Sequence, residues 1–168
     1  MENTMTHYME LLATNQPWNL IIFMAIPVIF AEFIAVTELF ILLNRDGNQS
    51  LRRWNKIAGI IIGIYFTGVF FYLFTTAVIP LTMGGGWRGI ADVIAVGFYL
   101  LGIVPLGGMA LMGLGLIGKN LDEPAQLKLH ATLVAVFLVV AHVAMIFGML
   151  DPTLFTGNSM PMSATRSG

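Results

Sequence analysis

The chain has 168 residues, 57% of them hydrophobic and 10% charged, with a formal net charge of -1. Soluble domains carry roughly 25% charged residues, so this chain lacks the polar side chains to clothe a water-exposed globule, and its length excludes more than one domain. The near-neutral balance gives nucleic acid no electrostatic footing, and the absence of cysteine excludes disulfides, thiolate metal sites, iron–sulfur clusters and a cysteine nucleophile.

Residues 1–17 contain Glu2 and Glu10 but no Lys or Arg. No basic region precedes the first apolar stretch, so a cleavable signal peptide is not expected. Residues 4–14 read as a short amphipathic helix lying on the outer surface. Met5, Tyr8, Met9 and Leu12 recur at helical spacing, with Thr6 and Glu10 opposite. Asn15, Gln16 and Pro17 end it.

Apolar stretches follow at 18–43, 57–80, 93–117 and 129–150. About 20 residues of helix cross a hydrocarbon core of ~30 Å, and no alternating pattern suggests barrel strands. The expected fold is an all-α membrane protein, a four-transmembrane-helix bundle over 18–150. A short N-terminal interfacial helix precedes it and a flexible tail over 151–168 follows. Gly84, Gly85 and Gly86 in the connection 82–92 suggest a formless loop. Orientation follows from the basic residues. Arg45, Arg52, Arg53 and Lys56 fall between spans 1 and 2, and Lys119 and Lys128 between spans 3 and 4, leaving only Arg88 and Arg166 elsewhere. Both basic connections are therefore expected in the cytoplasm and both termini outside, with Trp18, Trp54 and Trp87 as interfacial anchors. Pro27 in span 1 and Pro105 in span 3 hint at a repeated hairpin of the kind transporters use.

An ionisable side chain near the bilayer centre costs ~2.5–3.5 kcal/mol on insertion scales, so each one needs a reason. Glu32, Glu38 and His142 lie inside the spans, and His130 sits at the cytoplasmic mouth of span 4. At a rise of ~1.5 Å per residue, Glu38 lies near the level of His130, and Glu32 lies about 9 Å deeper than His142. Two carboxylate–histidine levels would form a polar track along spans 1 and 4 that binds or relays a proton or cation. Each pair is split by about 120° around its own helix, so a shared groove is needed to join them. The plainer alternative is structural: Glu32 protonated by its apolar setting, Glu38 reaching toward Arg45, and His130 merely interfacial. Pro27 removes a backbone donor just before Glu32, and the freed carbonyl must find another partner.

Methionine is frequent. His142 and Met145 share a face of span 4 with Met149 one turn on, and Met24 lies near their depth. Imidazole plus thioether suits Cu(I) or an axial haem pair. A b-type haem would need Met24 or Met109 opposite His142, or a second histidine from a homodimer or the surface-lying His7. Core packing is the commoner use of Met. Gly59 and Gly63 match the small-xxx-small pattern of close helix approach. With the glycines of span 3, they point to packing within the bundle, to a homo-oligomer through the Gly59 and Gly63 face, or to docking on a larger membrane complex. No nucleotide loop, catalytic triad or zinc signature is present, so soluble-enzyme chemistry is not expected.

The runs His7-Tyr8-Met9 and Gln16-Pro17-Trp18-Asn19-Leu20-Ile21, the Pro27, Glu32, Thr37-Glu38 pattern, and Leu129-His130-Ala131 with Ala141-His142, Met145, Gly148-Met149 and Pro152 resemble a small bacterial four-helix membrane family labelled "permease". The resemblance covers most of the chain. It implies a transport role in a bacterial inner membrane and names no substrate. The leading expectation is a permease-like protein working through Glu32, Glu38, His130 and His142. The rivals are a haem b electron carrier using His142 and His130, and a non-catalytic accessory subunit of a larger membrane complex.

Overall fold

The computed structural model describes residues 5–44 and 49–152. A short helix α1 (His7–Ala13) precedes four long ones: α2 (Trp18–Leu43), α3 (Gln49–Gly84), α4 (Ile90–Gly113) and α5 (Glu123–Met149). All four are long and apolar enough to cross a membrane. The protein is an all-α membrane bundle.

The helix ends follow local chemistry. Asp122 caps α5 by accepting from the Ala125 N–H at 3.1 Å, with Pro124 in the first turn. Gly85 ends α3 at φ 63°, and the Gly86 N–H reaches back to the Leu81 carbonyl at 2.9 Å. The glycine run is therefore a defined helix stop rather than the formless loop expected. α3 starts at Gln49, ahead of the apolar stretch at 57. Hydropathy marks where lipid begins, whereas backbone hydrogen bonds continue as long as polar side chains find water or partners. α4 stops at Gly113, short of 117, where Gly115 and Gly118 turn the chain at φ 71° and 77°. Arg45 and the tail from residue 153 lie outside the described residues.

In lipid, helices associate through close packing and hydrogen bonds rather than through a hydrophobic force. Gly63 shows how close this packing is. A β carbon there would stand 2.4 Å from the Leu106 carbonyl oxygen and 2.5 Å from Ala110 Cβ. Gly59 borders Met109 and the His130 ring. The Gly59 and Gly63 face is thus packed against α4 and α5 of the same chain, the packing within the bundle that is one of the alternatives its spacing allows. Behind it lies a core of Ile34, Ile62, Leu106 and Phe66, with the Phe66 ring 5.4 Å from Tyr99 and 6.3 Å from Phe137.

Two π-helical turns interrupt the long helices, Ile21–Ala25 in α2 and Phe74–Val78 in α3. Pro27 and Pro80 follow them, and a proline removes the donor for the carbonyl four residues back. For Pro27 that carbonyl belongs to Phe23, and the Tyr99 hydroxyl donates to it at 2.6 Å. Tyr65 donates to the neighbouring Ile22 carbonyl at 2.9 Å. The matching distortions fall in spans 1 and 2. Pro105 instead follows a break at Gly102, so the Pro27 and Pro105 resemblance does not extend to backbone shape.

α1 caps the end of the bundle opposite the basic connections. Thr6, expected on its polar face, is fully buried and donates to the Gly148 carbonyl at 2.6 Å. The Tyr8 ring packs on Gly148 and lies 5.1 Å from Tyr99. Burial pushes the Tyr8 phenol up to about 12, so it stays neutral at physiological pH.

Candidate functional site

Glu38 and His130 meet at the basic end of the bundle. α2 turns Glu38 inward, α5 supplies His130, and the His130 Nδ1 lies 2.7 Å from Glu38 Oε2. Both side chains are largely buried. Gly59 of α3 leaves room for the imidazole, because a β carbon there would lie 3.6 Å from Nε2. Asn55, also from α3, completes the cluster. Its amide nitrogen has two hydrogens and faces three acceptors: Thr37 Oγ1 at 2.8 Å, the Ile34 carbonyl at 3.1 Å and Glu38 Oε2 at 3.2 Å. Thr37 is already a donor to the Phe33 and Ile34 carbonyls. One oxygen is left over. Glu38 Oε1 is buried and has no hydrogen-bond partner among the described residues.

A cavity of about 200 Å³ borders this cluster. Glu38, Asn55, His130 and Met109 line its inner part, while Arg52, Lys56 and Glu123 belong to its charged rim. Arg52 pairs with Glu123 across the rim. Buried polar groups are normally hydrogen-bonded, because an unmet one costs about 1–3 kcal/mol. An orphan carboxylate oxygen beside a titratable ring and a charged opening is therefore a position where a proton can be exchanged.

Glu32 and His142 are not brought together. Both are exposed on the outside of the bundle. Glu32 has no hydrogen bond or ion pair with any described residue, and His142 Nδ1 lies 2.6 Å from the carbonyl of Leu138 in its own helix. Met24 and Met145 border a cavity of about 30 Å³ that His142 does not line. That space suits a water molecule and is far too small for a porphyrin. Met109 lines the other cavity with His130, so it does not face His142. Among the described residues no three His, Asp or Glu side chains are grouped to hold a metal.

A second carboxylate–histidine pair lies at the opposite end. Asp92 is fully buried. It accepts from the His7 backbone N–H at 2.7 Å, meets His7 Nδ1 at 2.5 Å, and accepts from the Arg88 N–H at 3.3 Å. Arg88 also donates to the Met5 carbonyl at 2.6 Å and pairs with Glu10. His7, expected to lie on the surface, is held by its backbone and ring contacts with Asp92. Sequence reasoning missed Asp92 and Asn55. Each sits where hydropathy reads a helix edge, and the only signal was an acid in the first turn of a span and an amide ahead of one.

A family model described as "Family of unknown function (DUF6803)" matches residues 3–164, so the chain belongs to that family. No curated protein and no solved structure matches it.

Proposed function

We propose that this member of the DUF6803 family is a permease-like membrane component that takes up a proton at the Glu38–His130 pair through the cavity at its basic end. The observation that carries this reading is the buried, unpartnered Glu38 Oε1 beside that cavity. A proton fits better than a metal cation, which needs several oxygen ligands, whereas one free carboxylate oxygen is on offer. The excess of Arg and Lys at this end favours a cytoplasmic opening, and an inner membrane of a bacterium is the setting that orientation rule describes. An apolar layer containing Phe66 and Phe137 closes the path toward the other end. The π turns at Ile21–Ala25 and Phe74–Val78 are the places where helices α2 and α3 can bend to open it.

The test is proton flux into liposomes that hold the purified protein, followed with a trapped pH dye under an imposed gradient. Glu38→Gln should cut the protein-dependent flux by roughly a hundredfold or more, in line with the typical contribution of a positioned acid–base group. His130→Gln should act in the same direction. Flux that is unchanged in Glu38→Gln, or no protein-dependent flux at all, overturns the reading.

Glu32 favours self-association as part of that function. Ile29, Val36, Leu39 and Leu43 are exposed on α2, and with Glu32 they recur at alternating spacings of three and four residues. That is the pattern of a coiled seam. A second copy laid along this seam would give the two Glu32 carboxyls each other as hydrogen-bond partners and remove them from lipid. Glu32→Leu should therefore raise the monomer fraction several-fold in dilute liposomes, read by single-molecule photobleaching. A monomer fraction equal to that of the unaltered protein refutes the seam.

A further inference from the structure

The His7–Asp92 pair borders a larger space that the proton-uptake reading does not use. A cavity of about 520 Å³ lies beneath α1, within the range of about 300–1,000 Å³ typical of small-molecule sites. Its apolar walls include Leu73, Leu81 and Val96, with the Tyr72 and Tyr99 rings, and its polar rim includes His7, Glu10, Thr14 and Asn19.

Most of the rim is already committed. Asn19 donates to the Leu11 carbonyl at 3.0 Å, Thr14 to the Glu10 carbonyl at 2.7 Å, and Glu10 is paired with Arg88. His7 differs. In the neutral ring, the hydrogen sits on Nδ1 against the buried Asp92 carboxylate, which leaves Nε2 an acceptor. Nε2 makes no hydrogen bond with any described residue. A ligand here must therefore bring a donor. Glu10 is paired with Arg88, and Asp92 is fully buried, does not line the cavity and accepts from the His7 ring and two backbone N–H groups, so no carboxylate oxygen is open to a cation. An anionic head would meet an acceptor nitrogen beside two carboxylates. We propose that this cavity binds an amphipathic molecule with a neutral hydroxylated ring, of the alkylphenol or quinol class, its hydroxyl donated to His7 Nε2 and its apolar part seated between α3 and α4.

Trp87 reports on the site, because its ring lies edge-on to His7 at 6.5 Å. In the full chain with Trp18→Phe and Trp54→Phe, Trp87 is the sole tryptophan. A short-chain alkylphenol should then change its emission saturably. The methyl ether of the same phenol, which lacks the donor, should bind roughly tenfold more weakly. His7→Ala should lose the preference for the free hydroxyl. Ala77→Phe fills the cavity from α3 without touching the His7–Asp92 pair, and should weaken the phenol and its ether alike. Equal binding of phenol and ether to the unaltered site, tighter binding of an alkylammonium probe, or saturable binding unaffected by Ala77→Phe overturns the proposal. Glu38→Gln should leave this binding unchanged, so its outcome is separate from that of the proton-flux test.

Discussion

Replacing Gly63 with valine should destabilise the bundle by about 3 kcal/mol. The added β carbon would stand 2.4 Å from the Leu106 carbonyl oxygen and 2.5 Å from Ala110 Cβ. The first neighbour is backbone and the second is attached directly to it, so neither can swing aside. α3 and α4 must separate instead, and close packing is the main attraction between helices in lipid. Overpacked sites cost about 1–3 kcal/mol and occasionally more. With valine's further methyl groups and a backbone obstacle, about 3 kcal/mol is expected, a large share of the roughly 5–15 kcal/mol that holds a native protein together. Gly68→Ala and Gly97→Ala are the controls, since nothing lies within 4 Å of a β carbon at either position. Both should be neutral or stabilising by up to about 1 kcal/mol, the helix-propensity gain of alanine over glycine. Unfolding by detergent titration, followed by circular dichroism, checks all three. A Gly63→Val protein as stable as the controls would mean that α3 and α4 do not meet in this register.

That glycine also shows where sequence reasoning ends. The Gly59 and Gly63 spacing announces that some helix comes close, and one does. Spacing says nothing about whose helix it is, because Leu106–Ala110 of the same chain and a second copy would leave the same trace. The spans were legible for a firmer reason, since hydrocarbon thickness fixes a minimum apolar length. Their ends were less so. Arg52, Trp54, Asn55 and Lys56 lower the local hydropathy without interrupting the helix, and Asn55 was hidden in that polar run.

The ionisable residues divide in the same way. Rise per residue is a one-dimensional ruler, and it sets Glu38 level with His130, whose side chains lie 2.7 Å apart. It carries no information on rotation within the bundle. Glu32 sits about 120° around α2 from Glu38, so when Glu38 faces inward Glu32 faces out. His142 and His130 are related likewise on α5. The His7–Asp92 contact joins residues 85 positions apart, through a short helix whose docking depends on Thr6 and Tyr8 being buried. No periodicity in the chain encodes that docking.

His130→Leu alone should cost more stability than Glu38→Leu and His130→Leu together. The single change removes the imidazole at 2.7 Å and leaves the buried carboxyl with only the Asn55 amide at 3.2 Å. Breaking one side of a buried pair costs about 3–5 kcal/mol, whereas replacing both partners by apolar groups of similar volume is often neutral or stabilising. The double change creates no new orphan on Asn55, which keeps Thr37 Oγ1 and the Ile34 carbonyl as acceptors. It also removes the unmet Glu38 Oε1. The double variant should thus unfold within about 1 kcal/mol of the unaltered protein and carry no proton flux, separating a pair retained for chemistry from one retained for strength. Unfolding and flux measured on the same preparations decide it. If the double variant loses as much stability as the two single changes added together, the pair holds the bundle together in its own right. A buried glutamate and histidine would then need no functional reason to be there.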